Sequence, residues 1–243
     1  MLRAGLLLAT GLVLGCAGGT GVAELDQILG SARQASGAAA PLDESTVIAG
    51  LRDALRVGTD RTVAATSRPD GYLGNELIRI HMPESLDTMA RALRAVGFSQ
   101  QLDELDVAMN RAAEQAAGEA TSVFLNGIQQ MSIKDAWGIL EGGDTAATDY
   151  FRRTTSGELR TRFEPIVEDK MAAVGLAQLY DDLVARYRAI PLASLGQDPP
   201  DLRQYVTDGA LDGLFTVLGQ QETKIREDPA ARTNELLRTV FGR

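Results

Sequence analysis

The chain has 243 residues and a formal net charge of −9, with one cysteine and one histidine. A negative field of that size repels nucleic acid, and the Lys and Arg residues are scattered, so nucleic acid is excluded as a partner. One Cys closes no internal disulfide, and one Cys with one His cannot supply the four ligands of a Cys/His metal cluster.

The N-terminus reads Met1-Leu2-Arg3, then an apolar run from Ala4 to Leu14, then Gly15-Cys16. A basic start, a short apolar stretch and small residues at its end describe a secretory signal peptide. The run is too short to span a bilayer, which needs about 20 apolar residues. Val13-Leu14-Gly15-Cys16 resembles the lipobox of bacterial lipoproteins, whose Cys receives a diacylglycerol and becomes the mature N-terminus. Ordinary cleavage at Gly15-Cys16-Ala17 or Gly21-Val22-Ala23 is the alternative. The lone Cys at the end of the run favours lipidation at Cys16, with residues 1–15 removed. That removal takes Arg3 and no acid, leaving a charge near −10. By the same resemblance, Ala17 stands where an Asp commonly signals inner-membrane retention, which favours the outer membrane.

Residues 16–42 are rich in Gly, Ala and Ser and read as a flexible tether, with a short helix possible from Ala23 to Ala35. From Ser45 the helix signal is clear. Ile48, Leu51, Leu55, Gly58 and Thr62 form an amphipathic stripe. It should stop before the turn Arg68-Pro69-Asp70-Gly71, where Pro presets φ and Gly accepts φ > 0. Leu77 to Met82 alternates, with Arg79 and His81 opposite Ile78, Ile80 and Met82. One strand has no ladder partner, so an extended connection or half of a minor hairpin is expected. Pro83 suits the first turn of a helix with Leu86, Met89, Leu93 and Val96, closed by Gly97. Leu102, Leu105, Met109, Ala112 and Ala116 carry the next, with a weak point at Gly118 before Phe124, Ile128 and Met131.

Ser132-Ile133-Lys134-Asp135 is a capping-box start for Ile133–Leu140. Asp144 is expected to cap the following helix. Thr155-Ser156-Gly157-Glu158 reads as another capping box, opening a helix that Pro165 kinks and Gly175 closes. Leu179, Tyr180, Leu183, Val184 and Tyr187 mark a helix, residues 191–200 a loop, and Thr207 a cap for the helix with Leu211, Leu214, Phe215, Leu218 and Ile225. Asp228-Pro229 opens a last helix through Val240. The fold class predicted is all-α: an irregular multi-helix bundle with at most one minor hairpin or extended segment, forming one domain over residues 43–243.

Several segments in order resemble a known family: Gly50 to Thr59, Ile78-Arg79-Ile80 with Pro83 to Leu86, Tyr150 to Thr155, Ala210 to Phe215, and Ile225-Arg226-Glu227 with Pro229 to Thr233. The family is domain-of-unknown-function group four-one-nine-seven, exported proteins of Gram-negative bacteria, and the resemblance covers about residues 43–242. It implies an envelope location and supplies no activity or site residues.

Candidate chemistry is sparse. His81 with Glu84 is weak as half of a metal site, because Pro83 intervenes and no second His exists. No Gly-x-Ser-x-Gly or P-loop pattern occurs. Most carboxylates read as solvated helix faces or caps. The aromatics Phe124, Tyr150, Phe151, Phe163, Tyr180 and Phe215 read as core. The sharpest polar cluster is Arg152-Arg153-Thr154-Thr155: two guanidinium groups before a predicted helix N-terminus, a candidate anion site. Arg226 and Arg232 flank Asp228-Pro229 in a similar way. The function expected is non-catalytic and cofactor-free. The chain reads as a lipid-anchored envelope protein, touching the membrane through its N-terminal lipid, whose helical module binds an envelope protein or a small ligand. The alternative is an envelope enzyme with a carboxylate acid/base site.

Overall fold

A computed structural model describes residues 44–173, 176–189 and 200–228. The leader, Cys16, the tether, Gly175, most of the loop 191–200 and the last helix after Asp228 lie outside the described residues. Eight α-helices occur within them: α1 (Glu44–Thr66), α2 (Asp87–Ala95), α3 (Ser99–Ala117), α4 (Ala120–Gln130), α5 (Ile133–Leu140), α6 (Ala146–Ala173), α7 (Leu176–Arg188) and α8 (Leu202–Glu227). No strand occurs among the described residues: Leu77 and Ile78 of the alternating segment lie in a turn, where Ile78 N–H and Arg79 N–H donate to Asn75 O, and residues 79–82 form an irregular connection. The all-α class is the one the periodicity predicts.

The apolar stripes become the core. In α1, Ile48, Leu51, Leu55, Gly58 and Thr62 are all buried. In α3, Leu102, Leu105, Met109, Ala112 and Ala116 are closed off completely or nearly so. Helix α8 is central and packs against α1, α3 and α6. Helix α4 rests on α1 and α6, and α7 on α6 and α2. Phe124 of α4 meets Phe151 and Phe215 edge to face, with centroids 5.1 and 6.1 Å away.

Several predicted ends are found as expected. Gly97 takes φ +96°, and Gly97 N–H and Phe98 N–H donate to Arg94 O and Leu93 O, closing α2 with a Schellman turn. Val96 therefore falls at the helix end and is exposed. The capping box of α5 forms: Ser132 Oγ accepts from Asp135 N–H, and the Asp135 carboxylate accepts from Ser132 N–H, each at 3.1 Å. The Ser132 side-chain bond, then the backbone one, holds the Asp135 carboxyl below its ordinary range.

Other boundaries differ from the sequence reading. Helix α6 runs unbroken through residues 152–158 and carries Pro165 inside it. Thr155 opens no helix; its hydroxyl donates to Phe151 O at 2.6 Å. Thr154 and Thr161 likewise bond back to the carbonyls of Tyr150 and Gly157. A hydroxyl that caps a helix can equally turn back on the preceding turn once the chain is helical on both sides. Thr207 is buried inside α8, whose N-cap is Asp201, accepting from Arg203 N–H and Gln204 N–H at 2.9 and 3.2 Å. In the Arg68–Gly71 turn it is Asp70, not Gly71, that takes positive φ, at 62°. Asp tolerates that region better than most residues.

The connection 67–82 is held against α3 by side chains one turn apart. Glu114 Oε1 accepts from Tyr72 N–H and Leu73 N–H, both at 3.2 Å. Asn110 accepts from Ile80 N–H at 2.8 Å and donates to Ile80 O at 2.9 Å. Asp106 accepts from Arg79. On its other side the connection presses into α8, where Tyr72 is fully buried and donates to Ala210 O at 2.6 Å. Gly213 makes room for it: a Cβ there would lie 2.4 Å from Tyr72 Cε1. Gly213→Ala should therefore destabilise the fold by about 1–3 kcal/mol through overpacking. Gly157→Ala, whose added Cβ would meet nothing beyond its own helix backbone within 4 Å, should stabilise it by up to ~1 kcal/mol through helix propensity. Urea unfolding of both variants checks the pair, and equal effects would contradict the packing.

Candidate functional site

Arg152 lies on an exposed face of α6 and crosses towards α8. Its guanidinium sits 4.7 Å from the Phe215 ring centroid and donates to Asp212 Oδ1 at 2.9 Å. It stands at one side of an open groove of about 740 Å³ between the first turns of α6 and the C-terminal half of α8. Thr145, Thr148, Thr216 and Thr223 supply hydroxyls to its walls, with Gln220, Asp149 and Lys224. Phe215 and Gly219 belong to its α8 wall. The size suits a small organic ligand.

Arg153 does not share this groove. Successive residues on a helix are about 100° apart, and Arg153 turns the other way, 5.9 Å from the Tyr150 ring centroid. There its charge acts on Asp135 and Tyr150, together with the charges of Lys134 and Arg52 respectively. Burial, ahead of the Asp135 charge, pushes the Tyr150 phenol up. The two arginines thus belong to different surfaces. Because α6 is continuous, the free N–H groups expected after Thr154 do not exist; those amides lie inside the helix.

The real N-terminus of α6 is occupied by a residue that sequence reasoning passed over. Glu222 of α8 accepts from Ala147 N–H at 2.9 Å and Thr148 N–H at 2.8 Å, and from the Thr148 hydroxyl at 2.8 Å. Arg226 grips the same carboxylate through Nε and a terminal nitrogen at 3.0 and 2.9 Å, and donates to Ile139 O at 2.8 Å. Arg226 is thus scaffold on this face; Arg232 lies outside the described residues. Glu114 and Asn110 are the other missed pair. Their signal was local but faint: two polar side chains within an α3 surface otherwise closed by Ala112, Ala113, Ala116 and Ala117.

His81 is exposed, and its carbonyl accepts from Tyr205 Oη at 2.9 Å. It borders a second open groove, of about 620 Å³, with Arg79, Arg94, Asp103 and Asp106. Arg79 pairs with Asp106 and Arg94 with Asp103 there. Glu84 begins a single 3-10 turn, Glu84–Leu86. Among the described residues no three His, Cys, Asp or Glu side chains are grouped to hold a metal ion. None of the described helices is long and apolar enough to cross a membrane. Of the six aromatics, Tyr180 is half-buried and donates to Pro200 O at 3.0 Å; the other five are core.

A family model described as a protein of unknown function, DUF4197, matches residues 41–242. No curated protein and no solved structure matches the chain.

Proposed function

The chain belongs to the DUF4197 family of proteins of unknown function, and we propose that it works as a lipid-anchored helical binding module of the bacterial envelope. The lipobox-like Val13-Leu14-Gly15-Cys16 supports export and a diacylglyceryl anchor on Cys16. The observation that carries binding is the α6–α8 groove, where Arg152 lies over an aromatic ring among four threonines with Lys224 nearby. That lining suits a small polar ligand bearing an anionic group, which the two cations would hold, while the hydroxyls of Thr145, Thr148 and Thr216 donate to Asp149, Glu222 and the Asp212 carbonyl and keep their lone pairs for a ligand's own donors. The acid/base alternative has less support, because the buried carboxylates Glu114 and Glu222 are each taken up by two backbone amides and an arginine.

Thermal unfolding of the wild type with inorganic phosphate, a hexose phosphate and a uronic acid tests the groove. A bound ligand at 100 times its Kd adds about 2.7 kcal/mol of stability. Arg152→Ala should cost the free protein only about 1 kcal/mol, since it removes one exposed ion pair and one cation–π contact. It should also abolish the ligand's stabilisation. If none of the three probes raises the melting temperature, or Arg152→Ala keeps the increment, the groove is not the seat.

A further inference from the structure

Helix α5 carries an apolar pair that the bundle leaves partly uncovered. Ile133 and Trp137 lie one turn apart on the same side of the helix, 57 % and 38 % exposed. Trp137 is the only tryptophan in the chain. Its ring is not buried, yet its indole N–H donates to Glu44 Oε1 at 3.0 Å. Glu44 is the first residue of α1, so the exposed ring sits beside the point where residues 17–43 lead into the helical unit. Even fully extended, those 27 residues reach no more than about 100 Å from Cys16. Cations cluster at the same end of α5. Lys134 follows Ile133, Arg52 donates to Met131 O at 3.0 Å, and Arg153 lies close enough to act on the Asp135 carboxyl.

We propose that this corner, Ile133 and Trp137 with Lys134, Arg52 and Arg153, is a membrane-docking surface that seats the helical unit on the bilayer to which Cys16 is anchored. The proposal rests on the anchored reading above. A tryptophan with an apolar ring and a satisfied N–H fits the headgroup boundary, where one end of the side chain is dry and the other wet. The adjoining cations match anionic phospholipid headgroups. A chain of net charge −9 would not collect on such a surface from solution. Attachment at Cys16 removes that obstacle, because a tethered patch binds at an effective concentration set by its linker. Orientation follows: docking through α5 leaves the tethered corner down and commits one face of the unit to lipid.

The single tryptophan makes the test direct. The mature chain, carrying lipid on Cys16, is placed in vesicles of phosphatidylethanolamine and phosphatidylglycerol. Trp137 emission is then followed with brominated lipids and with iodide. Docking predicts a shift to shorter wavelength, quenching by the brominated lipids and shielding from iodide. Ile133→Asp should lose all three at unchanged melting temperature, since an acid in the first turn of α5 suits the helix. Trp137 that stays open to iodide and unquenched by lipid in the anchored wild type would overturn the proposal. So would shielding that requires added envelope protein. The anchor is read separately, as the acyl mass of the N-terminal peptide. Should that mass be missing, coupling Cys16, the only thiol, to a maleimide phospholipid still puts the surface to the same two tests.

Discussion

Glu222→Ala is expected to lower the unfolding free energy by about 3–5 kcal/mol, the usual cost of removing one partner from a buried ion pair. The residue joins three helices at once. Its carboxylate closes the first turn of α6 and faces the positive end of that helix's dipole. Through Arg226 it also holds the last turn of α5. Both side chains are well shielded, at 8 % exposure for Glu222 and 14 % for Arg226. Alanine leaves two buried N–H donors unsatisfied and takes this partner from a shielded guanidinium. For a unit of this size each kcal/mol moves the melting temperature by roughly 2–4 °C, so a fall of about 6–20 °C is predicted. Glu222→Gln keeps an acceptor oxygen for the helix and should fall less. An alanine variant melting within about 2 °C of wild type would show that α6 needs no cap from α8.

Tyr72→Ala is expected to cost a similar amount, about 3–5 kcal/mol, because an aromatic side chain closed off on all sides leaves a cavity. Tyr72→Phe separates the hydroxyl from the ring. It removes only the bond to Ala210 O and should cost about 1 kcal/mol. The same pair predicts a pH dependence. Burial, above the nearby Glu114 and Asp212 charges, pushes the phenol far above its ordinary value of 10. A raised folded-state value means that stability is intact below pH 10 and declines as pH rises beyond it, by up to about 1.4 kcal/mol per unit for one group. Tyr150 and Tyr205 are raised as well, chiefly by burial, and add to the decline in both proteins. Urea unfolding from about pH 9 to pH 11.5 should therefore show a steeper loss for the wild type than for Tyr72→Phe. Parallel curves would mean that Tyr72 is not the dominant alkaline switch.

The helices were legible because their stripes are long and their apolar residues nearly all turned inward, as in α1 and α3. The Ser132 box and the Gly97 stop were legible because each is completed by residues within five positions of one another. Thr155 and Thr207 misled for a physical reason. A hydroxyl near a polar stretch satisfies the same local signal whether it caps a helix or sits within one, and only the neighbouring helices decide. The site followed the same division. Arg152 could be singled out, but its ring partner lies 63 positions away, and so could not be read. Arg153 is its neighbour in sequence but not on the helix surface, where successive side chains point about 100° apart. Glu114, Asn110 and Glu222 carry at most a faint local signal, since the backbone groups they hold lie 30 to 75 positions away.

The hold of Asn110 on Ile80 has a consequence for how the chain behaves among copies of itself. Its primary amide meets both the N–H and the C=O of one residue of the connection, the same two bonds that a neighbouring strand would make. The side chain thus imitates a ladder partner. The segment with the most strand-like pattern in the chain offers no open backbone pair at Ile80 for another chain to extend.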